Sequence, residues 1–232
     1  MKSLSVLLFA AALTAGTMQA ARAADAPPPP EGPIYVVNYI DLTADAARGA
    51  LATLRTYRDA TRMAAGNTRA ELLQEIGRDN RVALIEQWEN FDTLQANRSG
   101  AAMTQLNAAL QDITYAPPDL RAHTVFSAAP LKGSDFDAIW VLTHVDVGPP
   151  TLPQLEAMMP AFIEASRADV NAAQFDFVRQ TDRRNHFTLI EGWTSRSAQI
   201  DHELAPATKA FRASVQPLMG ALYDQRFYRV LD

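Results

Sequence analysis

Two short pairs of a carboxylate and an indole are the residues best suited to chemistry in this sequence. Glu86 and Trp88 stand two positions apart, and so do Glu191 and Trp193. Residues i and i+2 of a strand point to the same face, so each carboxylate would lie beside its indole. The carboxylate could accept a phenolic proton, and the indole could shape a slot for an aromatic ring. A structural role stays open, in which each tryptophan fills the core and each glutamate pairs with an arginine.

His202 is the histidine with the clearest catalytic options, as a general base or as an axial ligand to iron. In one continuous helix, Ile200, Leu204 and Phe211 would form the buried stripe, which leaves His202 in solvent on the other side. Pro206 is expected to interrupt that helix, so the direction of His202 is open. Pro206 also stands where a zinc-binding HExxH motif needs its second histidine.

Asn38 and His144 fall on predicted first strands, from which side chains can reach an interior pocket. A buried amide needs hydrogen-bond partners, so Asn38 is an equal candidate for contacting a ligand and for a structural role. His144 is favoured as a structural histidine, with substrate binding as the alternative.

The chain is an internal duplication with an offset of 105 residues. IYVVNYID at 34–41 aligns with IWVLTHVD at 139–146, and NRVALIEQW at 80–88 aligns with NHFTLIEGW at 185–193. Without a gap, 19 of 93 aligned positions are identical. Since the apolar periodicity agrees as well, chance similarity is a poor explanation.

Each half predicts the order βαββαβ, which is a ferredoxin-like α+β unit. The predicted strands are 34–42, 69–76, 81–88 and 121–126, then 139–147, 174–180, 187–193 and 226–231. The predicted helices are 44–64 and one beginning after a cap at Asn90, then 152–167 and 197–219. One face of such a sheet needs a cover, so the two repeats are expected to pack sheet to sheet around an enclosed space.

Composition and the N-terminus restrict the function classes. The sequence has no cysteine, which excludes disulfides, thiolate metal sites and cysteine nucleophiles. A positive start and a short apolar run predict a signal peptide with export to the periplasm or beyond. Removing Lys2 and Arg22 leaves 19 basic and 26 acidic residues, a net charge of −7, which disfavours nucleic acid and anionic membranes as partners. The predicted organisation is a signal peptide (1–23), a proline-rich leader (24–33), repeat 1 (34–127), a linker (128–137) and repeat 2 (138–232).

Two βαββαβ halves that each carry E-x-W on the third strand resemble the antibiotic biosynthesis monooxygenase family of dimeric α/β barrels. The family includes quinol monooxygenases and haem-degrading monooxygenases. The resemblance implies a barrel made within one chain, with a pocket between sheet and helices in each half. Members of the haem-degrading branch use three site residues: an asparagine on the first strand, the tryptophan on the third strand and a histidine on the second helix. Asn38 and Trp88 match in repeat 1, where Asn97 replaces the histidine; Trp193 and His202 match in repeat 2, where Thr143 replaces the asparagine.

Neither half has the complete haem-degrading set, so the leading hypothesis is a cofactor-independent monooxygenase. It would oxidise a quinol or another electron-rich aromatic with O₂. His202 or Glu191 would be the base, Trp193 would complete the catalytic group, and Asn38, Trp88, Glu86 and His144 would bind substrate. No metal is predicted. The alternatives are a periplasmic module that binds a small molecule without turnover and a haem-binding protein. The partners are an aromatic substrate and O₂, within an intrachain pseudo-dimer that can form homo-oligomers.

Overall fold

The computed structural model describes residues 28–132 and 139–231. The predicted signal peptide (1–23), the start of the leader (24–27) and the end of the linker (133–137) lie outside the described residues. Within the described residues, no helix is both long enough and apolar enough to cross a membrane.

Each repeat has four strands and three helices, with one more helix per repeat than the sequence predicts. Repeat 1 contains β1 (Ile34–Asp41), α1 (Ala47–Arg62), β2 (Asn67–Glu75), β3 (Arg81–Trp88), α2 (Phe91–Arg98), α3 (Ala101–Leu110) and β4 (Asp119–Ser127). Repeat 2 contains β5 (Ile139–Asp146), α4 (Leu152–Arg167), β6 (Ala172–Gln180), β7 (His186–Trp193), α5 (Arg196–Leu204), α6 (Pro206–Val215) and β8 (Asp224–Val230).

The eight strands close into one antiparallel barrel in the order β1-β3-β2-β8-β5-β7-β6-β4. Each repeat contributes one four-stranded ferredoxin-like sheet. The two sheets join edge to edge where β2 pairs with β8 and where β4 pairs with β6. These two seams leave neither sheet with a free edge strand, which protects the backbone donors and acceptors at the edges. The predicted α+β fold, with two ferredoxin-like repeats forming an intrachain dimeric barrel, is confirmed.

The space expected between the two sheets is filled by side chains. Tyr35, Val37 and Leu73 of repeat 1 pack inside the barrel against Trp140 and Tyr228 of repeat 2, and all five are buried. An eight-stranded barrel is just wide enough for side chains to fill its interior, which explains why no large hollow remains there. Other cavities lie on the outer faces of the sheets, and one of about 470 Å³ is lined by strand ends of both repeats, including Arg121, Asp146 and His186.

The helices cover the outer face of each sheet. In repeat 1, Leu54 and Tyr57 of α1 and Leu106 of α3 are buried in one cluster with side chains of the sheet. In repeat 2, Met159 of α4 and Phe211 of α6 lie in the corresponding layer. The two E-x-W pairs belong to this layer, because Trp88 and Trp193 are fully buried on the helix side of β3 and β7.

The second predicted helix of each repeat is interrupted, which corrects its predicted course. In repeat 1, Asn90 caps α2 as predicted by accepting the Thr93 N–H at 3.0 Å, but the chain turns at Gly100 before α3. In repeat 2, Ala205 leaves helical geometry with φ −59° and ψ 141° before Pro206 begins α6. Proline lacks an N–H and clashes with the preceding turn, so the interruption falls where Pro206 predicts it.

The break at Ala205 overturns the solvated orientation of His202. Ile200 and Leu204, expected in the buried stripe, are exposed, whereas Ala198, Gln199 and His202 are buried. Because α5 ends at Leu204 and Phe211 belongs to α6, the position of Phe211 does not determine which face of α5 is buried. The side of α5 that carries His202 therefore faces the sheet.

His144 lies inside one end of the barrel, on the opposite face of the sheet from both E-x-W pairs. Its Nε2 accepts from the Tyr39 hydroxyl at 2.8 Å and from Arg121 Nη1 at 3.1 Å, because guanidinium nitrogens only donate. The ring proton is therefore on Nδ1, which lies 3.3 Å from Asp224 Oδ2. Burial, followed by the charge of Arg121, lowers the pKa of His144 to about 4.

His123 is a second neutral histidine in the barrel interior. Its Nε2 lies 3.0 Å from the Thr188 hydroxyl, and its Nδ1 is buried without a hydrogen-bond partner among the described residues. Burial lowers its pKa to about 3.

We expect the barrel to lose stability as the pH falls from 7 to 5. His123 and His144 have folded-state pKa values below the unfolded value of about 6.5. At these two histidines the unfolded chain therefore binds more protons than the folded chain in this range, and each histidine should lower the free energy of unfolding by about 2 kcal/mol. Glu191, whose pKa burial raises to about 7, offsets part of this loss because the folded chain binds its proton more tightly. Urea unfolding at pH 7 and pH 5 measures the loss. The imidazole NMR signals of both residues should not titrate above pH 5.5, and a midpoint near 6.5 for either one would contradict this assignment.

Candidate functional site

The carboxylate of repeat 1 is fully engaged by its own protein. Glu86 lies on β3 opposite Val36, and its Oε2 accepts the Trp88 indole N–H at 2.9 Å. Its Oε1 accepts the Tyr57 hydroxyl from α1, also at 2.9 Å. Asn97 of α2 donates to the same hydroxyl oxygen at 3.1 Å. Burial raises the pKa of Glu86, and the hydrogen bonds from Trp88 and Tyr57 oppose that rise.

Repeat 2 keeps the carboxylate and the indole but changes the other partners. The Trp193 indole N–H donates to Glu191 Oε2 at 2.9 Å, as in repeat 1. The offset of 105 places Phe162 at the position of Tyr57, and His202 at that of Asn97. Phenylalanine has no hydroxyl, so within the described chain Trp193 is the one residue that donates a hydrogen bond to this carboxylate. One oxygen of a buried carboxylate is thereby left for another donor.

Glu191 has the pKa of a group that can exchange protons near neutral pH. Burial raises its pKa to about 7, against the hydrogen bond from Trp193 and the positive charge of Arg212. The negative charge of Glu203 adds to the rise. A base whose pKa lies near the working pH is well matched to general acid–base catalysis.

His202 is packed as an aromatic ring instead of being presented as a base. It stacks on Trp193 with ring centroids 4.4 Å apart and an angle of 29° between the planes. Its Nε2 lies 3.4 Å from the Thr208 hydroxyl. Burial lowers the pKa of His202 to about 4, so the ring is neutral and weakly basic at pH 7. Of the two predicted bases, Glu191 has the more suitable proton affinity.

The groove beside His202 does not fit haem. It lies between α4 and the α5–α6 break, with a volume of about 160 Å³. A cavity of roughly 150 Å³ holds a molecule the size of benzene, far smaller than a porphyrin. The stacking of His202 on Trp193 also covers one face of its ring. Within the described residues, no group of three or more histidine, aspartate or glutamate side chains is arranged to hold a metal.

A larger cavity of about 720 Å³ lies under the connection from α6 to β8. Its wall combines apolar side chains, including Val215, Met219 and Leu222, with Arg212 and Tyr223. This volume is in the range of small-molecule sites. The mixture of apolar and hydroxyl-bearing or cationic groups suits a flat organic molecule that carries a polar oxygen.

Arg212 and Tyr223 connect this cavity electrostatically with Glu191. The guanidinium of Arg212 lies over the Tyr223 ring, 5.6 Å from its centroid, and lowers the pKa of Glu191. Burial and the Glu191 carboxylate raise the pKa of Tyr223 to about 12. Arg212 Nε is buried without a hydrogen-bond partner in the described chain, although its Nη2 contacts Glu203 at 3.3 Å.

Asn38 and Thr143, which the repeat alignment pairs with each other, face the helix-covered layer in their respective repeats. Thr143 of β5 lies opposite Leu189, two residues along the strand from the pair Val141 and Glu191, and its buried hydroxyl lies close enough to the Tyr223 hydroxyl to lower the pKa of that phenol. Asn38 of β1 is buried at the equivalent position, and its Oδ1 has no hydrogen-bond partner among the described residues. The register thus places Asn38 two residues from the position opposite Glu86 and four residues from the position opposite Trp88. Thr143 has the same relation to Glu191 and Trp193. His144 lies apart from both groups.

Sequence patterns did not identify Tyr57, Phe162, Arg212 or Tyr223. Tyr57 falls at one of the helically spaced apolar positions of the predicted helix 44–64, which indicate only burial, and Tyr223 follows a loop with no periodic pattern. The repeat alignment contained the missing signal. It places Arg212 against Asn107 and Tyr223 against Pro118, so the two halves differ where repeat 2 lines its cavity.

The comparisons with known proteins agree with this architecture. A family model described as antibiotic biosynthesis monooxygenase matches residues 33–109. No curated protein matches the sequence significantly.

Three solved structures share the fold over 87% of this chain. A candidate monooxygenase from Fusobacterium nucleatum subsp. nucleatum has 16% identity and a TM-score of 0.75, with 93% of its own chain covered. A candidate monooxygenase from Lactobacillus acidophilus NCFM has 13% identity and a TM-score of 0.70, with 100% covered. An anthrone oxidase-like protein has 16% identity and a TM-score of 0.68, with 92% covered.

At these identities the structural likeness establishes the fold, and the family model identifies the first repeat. The internal duplication and the symmetric barrel show that repeat 2 has the same fold as repeat 1. The chain is therefore a tandem pair of ferredoxin-like units, of which the first matches the antibiotic biosynthesis monooxygenase family model over residues 33–109.

Proposed function

We propose that this protein is a monooxygenase that oxidises a quinol or a related electron-rich phenol with O₂ in repeat 2. The observation that carries the proposal is Glu191, a buried carboxylate with a pKa of about 7 and one hydrogen-bond donor within the described chain. The cavity of about 720 Å³ beside Arg212 and Tyr223 supplies the space for the aromatic ring.

The reaction begins with transfer of the phenolic proton to Glu191. The resulting phenolate is a strong electron donor, and it passes one electron to O₂ without a metal or a flavin. The two radicals then combine at a ring carbon. The positive charge of Arg212 stabilises first the phenolate and then the reduced oxygen.

The atoms and electrons of this reaction balance. A hydroquinone and one O₂ give a hydroxyquinone and one water. One oxygen atom enters the ring and the other leaves as water, after Glu191 returns its proton to the departing oxygen. The substrate supplies all four electrons, so no external reductant is required. Trp193 holds Glu191 through its N–H, and neutral His202 stacks on the outer face of that indole.

The predicted export remains part of the proposal. A periplasmic location would expose the site to exogenous phenols, in keeping with a chain that has no cysteine to oxidise. Binding without turnover, the alternative from the sequence, is separated from oxidation by the experiments below.

Glu191 should titrate near pH 7, and Glu191→Gln should abolish that titration. Infrared difference spectra between pH 5 and 9 would follow its carboxyl C=O stretch, and Trp193 fluorescence should change over the same range because its N–H binds the carboxylate. Arg212, Glu203 and Tyr223 are the charged or titratable groups that influence Glu191. The exposed Glu164→Gln variant is the control. If the Glu191 carboxyl is already fully deprotonated at pH 5, the assignment is contradicted.

Oxygen uptake should exceed the autoxidation blank with at least one member of a phenol panel. The panel contains 1,4-hydroquinone, 1,4-naphthohydroquinone and anthrone, the last because one structural neighbour is an anthrone oxidase-like protein. Glu191→Gln should lower kcat by about 10²–10⁴-fold, since it removes the base, and Glu164→Gln should not. A thermal shift with these compounds but no uptake would favour the binding module.

Arg212→Gln should lower kcat/KM by about 10²-fold, because it removes the charge that stabilises the anionic oxygen. The matched control is Arg48→Gln, at an exposed arginine on α1. Steady-state kinetics on the best substrate of the panel measure both variants. Equal kcat/KM values for the two would remove Arg212 from the mechanism.

A further inference from the structure

We infer that repeat 1 is a closed copy of the site, in which the Tyr57 hydroxyl occupies the carboxylate oxygen that repeat 2 leaves for a substrate phenol. The inference rests on the proposed function for the identity of the ligand as a phenol. It adds that the chain has one working site, and that Phe162 is the residue that keeps this site open.

The Tyr57–Glu86 contact has the chemistry of a bound phenol. The Tyr57 hydroxyl donates to Glu86 Oε1 at 2.9 Å, and Asn97 donates to the phenolic oxygen at 3.1 Å. Both oxygens of Glu86 are then satisfied, since Trp88 occupies the other one. A hydroxyl that is already part of the protein competes with any external phenol at very high effective concentration.

Repeat 2 has lost this internal donor at the aligned position. Phe162 is buried and stacks on Phe211, with ring centroids 3.8 Å apart and an angle of 3° between the planes. Its ring packs in the layer of repeat 2 that is equivalent to the layer of Tyr57 in repeat 1, but it has no hydroxyl that could donate to Glu191. His202, which replaces Asn97, turns its ring onto Trp193 and contacts no tyrosine hydroxyl in the described chain.

The cavities of the two repeats differ in the same direction. The cavity in repeat 1 that corresponds to the large one in repeat 2 has a volume of about 360 Å³, half as much. Asn107 and Pro118 line it at the positions of Arg212 and Tyr223. At this cavity repeat 1 thus has no counterpart of Arg212 and about half the room of repeat 2, whereas its own cation, Arg98, acts on Glu86 and Tyr57 from α2.

The test adds the missing hydroxyl to repeat 2. Isothermal titration of the full chain with 2-naphthol, a phenol that resists oxidation, should give one site per chain. Phe162→Tyr should weaken this binding about 10- to 100-fold, the loss expected when a ligand can no longer hydrogen bond to a charged group. Oxygen uptake with the quinol panel should fall in parallel.

Two variants serve as controls. Tyr57→Phe removes the internal hydroxyl from repeat 1 and should leave the affinity and the oxygen uptake of repeat 2 unchanged. Phe162→Leu removes the ring without adding a hydroxyl, and its affinity for 2-naphthol should stay within a few-fold of that of the unchanged protein. Circular dichroism and the thermal midpoint of each variant establish that it is folded.

The outcomes separate this inference from the proposed oxidation. Two equal naphthol sites per chain, no naphthol binding, or unchanged binding in a folded Phe162→Tyr variant would each overturn the inference. A chain that binds one naphthol and loses it in Phe162→Tyr, but consumes no oxygen, would refute the oxidation and support the single open site.

Discussion

The hydrogen bond between a buried glutamate and the indole two residues further along the strand is the constraint on which both repeats depend. Removing a carboxylate from water is costly unless donors replace the lost solvent. The pleat of β3 and β7 places each tryptophan N–H 2.9 Å from its glutamate on the same face. This contact allows a carboxylate to persist beneath the helices. The two repeats then differ at the second carboxylate oxygen, which accepts from the Tyr57 hydroxyl in repeat 1 and from no side chain among the described residues in repeat 2.

The barrel supplies the rigid support for that layer. Because the interior is filled by side chains such as Trp140 and Tyr228, the strands that carry Glu86 and Glu191 cannot shift without disturbing a close-packed core. Several cavities accordingly lie outside the barrel interior, where the helices are interrupted and the side chains of α5 and α6 differ from their counterparts in repeat 1. The interior holds neutral histidines and tyrosines in a network that fixes the relative position of the two sheets.

The sequence predicted the fold well because the duplication and the strand periodicity are strong local signals. The bounds of β3 and α4 agree to the residue, and E-x-W does place both side chains on one face. The direction of His202 was predicted less well, since it depends on a backbone break at Ala205 and on packing against Trp193. Arg212 and Tyr223 could not be assigned a role from spacing, because a loop brings them to the same cavity. An alignment of the two repeats, position by position, indicates which residues differ at the cavity, and neither repeat alone indicates this.

Joining both sheets in one chain has a consequence for assembly and for divergence. A barrel built from two separate subunits comes apart on dilution, whereas the seams β2–β8 and β4–β6 form here between segments that cannot diffuse away from each other. A homodimer must also accept every mutation twice, at both symmetry-related positions. A fused pair can change one position alone, so Tyr57 and Phe162 are free to differ while the shared scaffold is inherited unchanged.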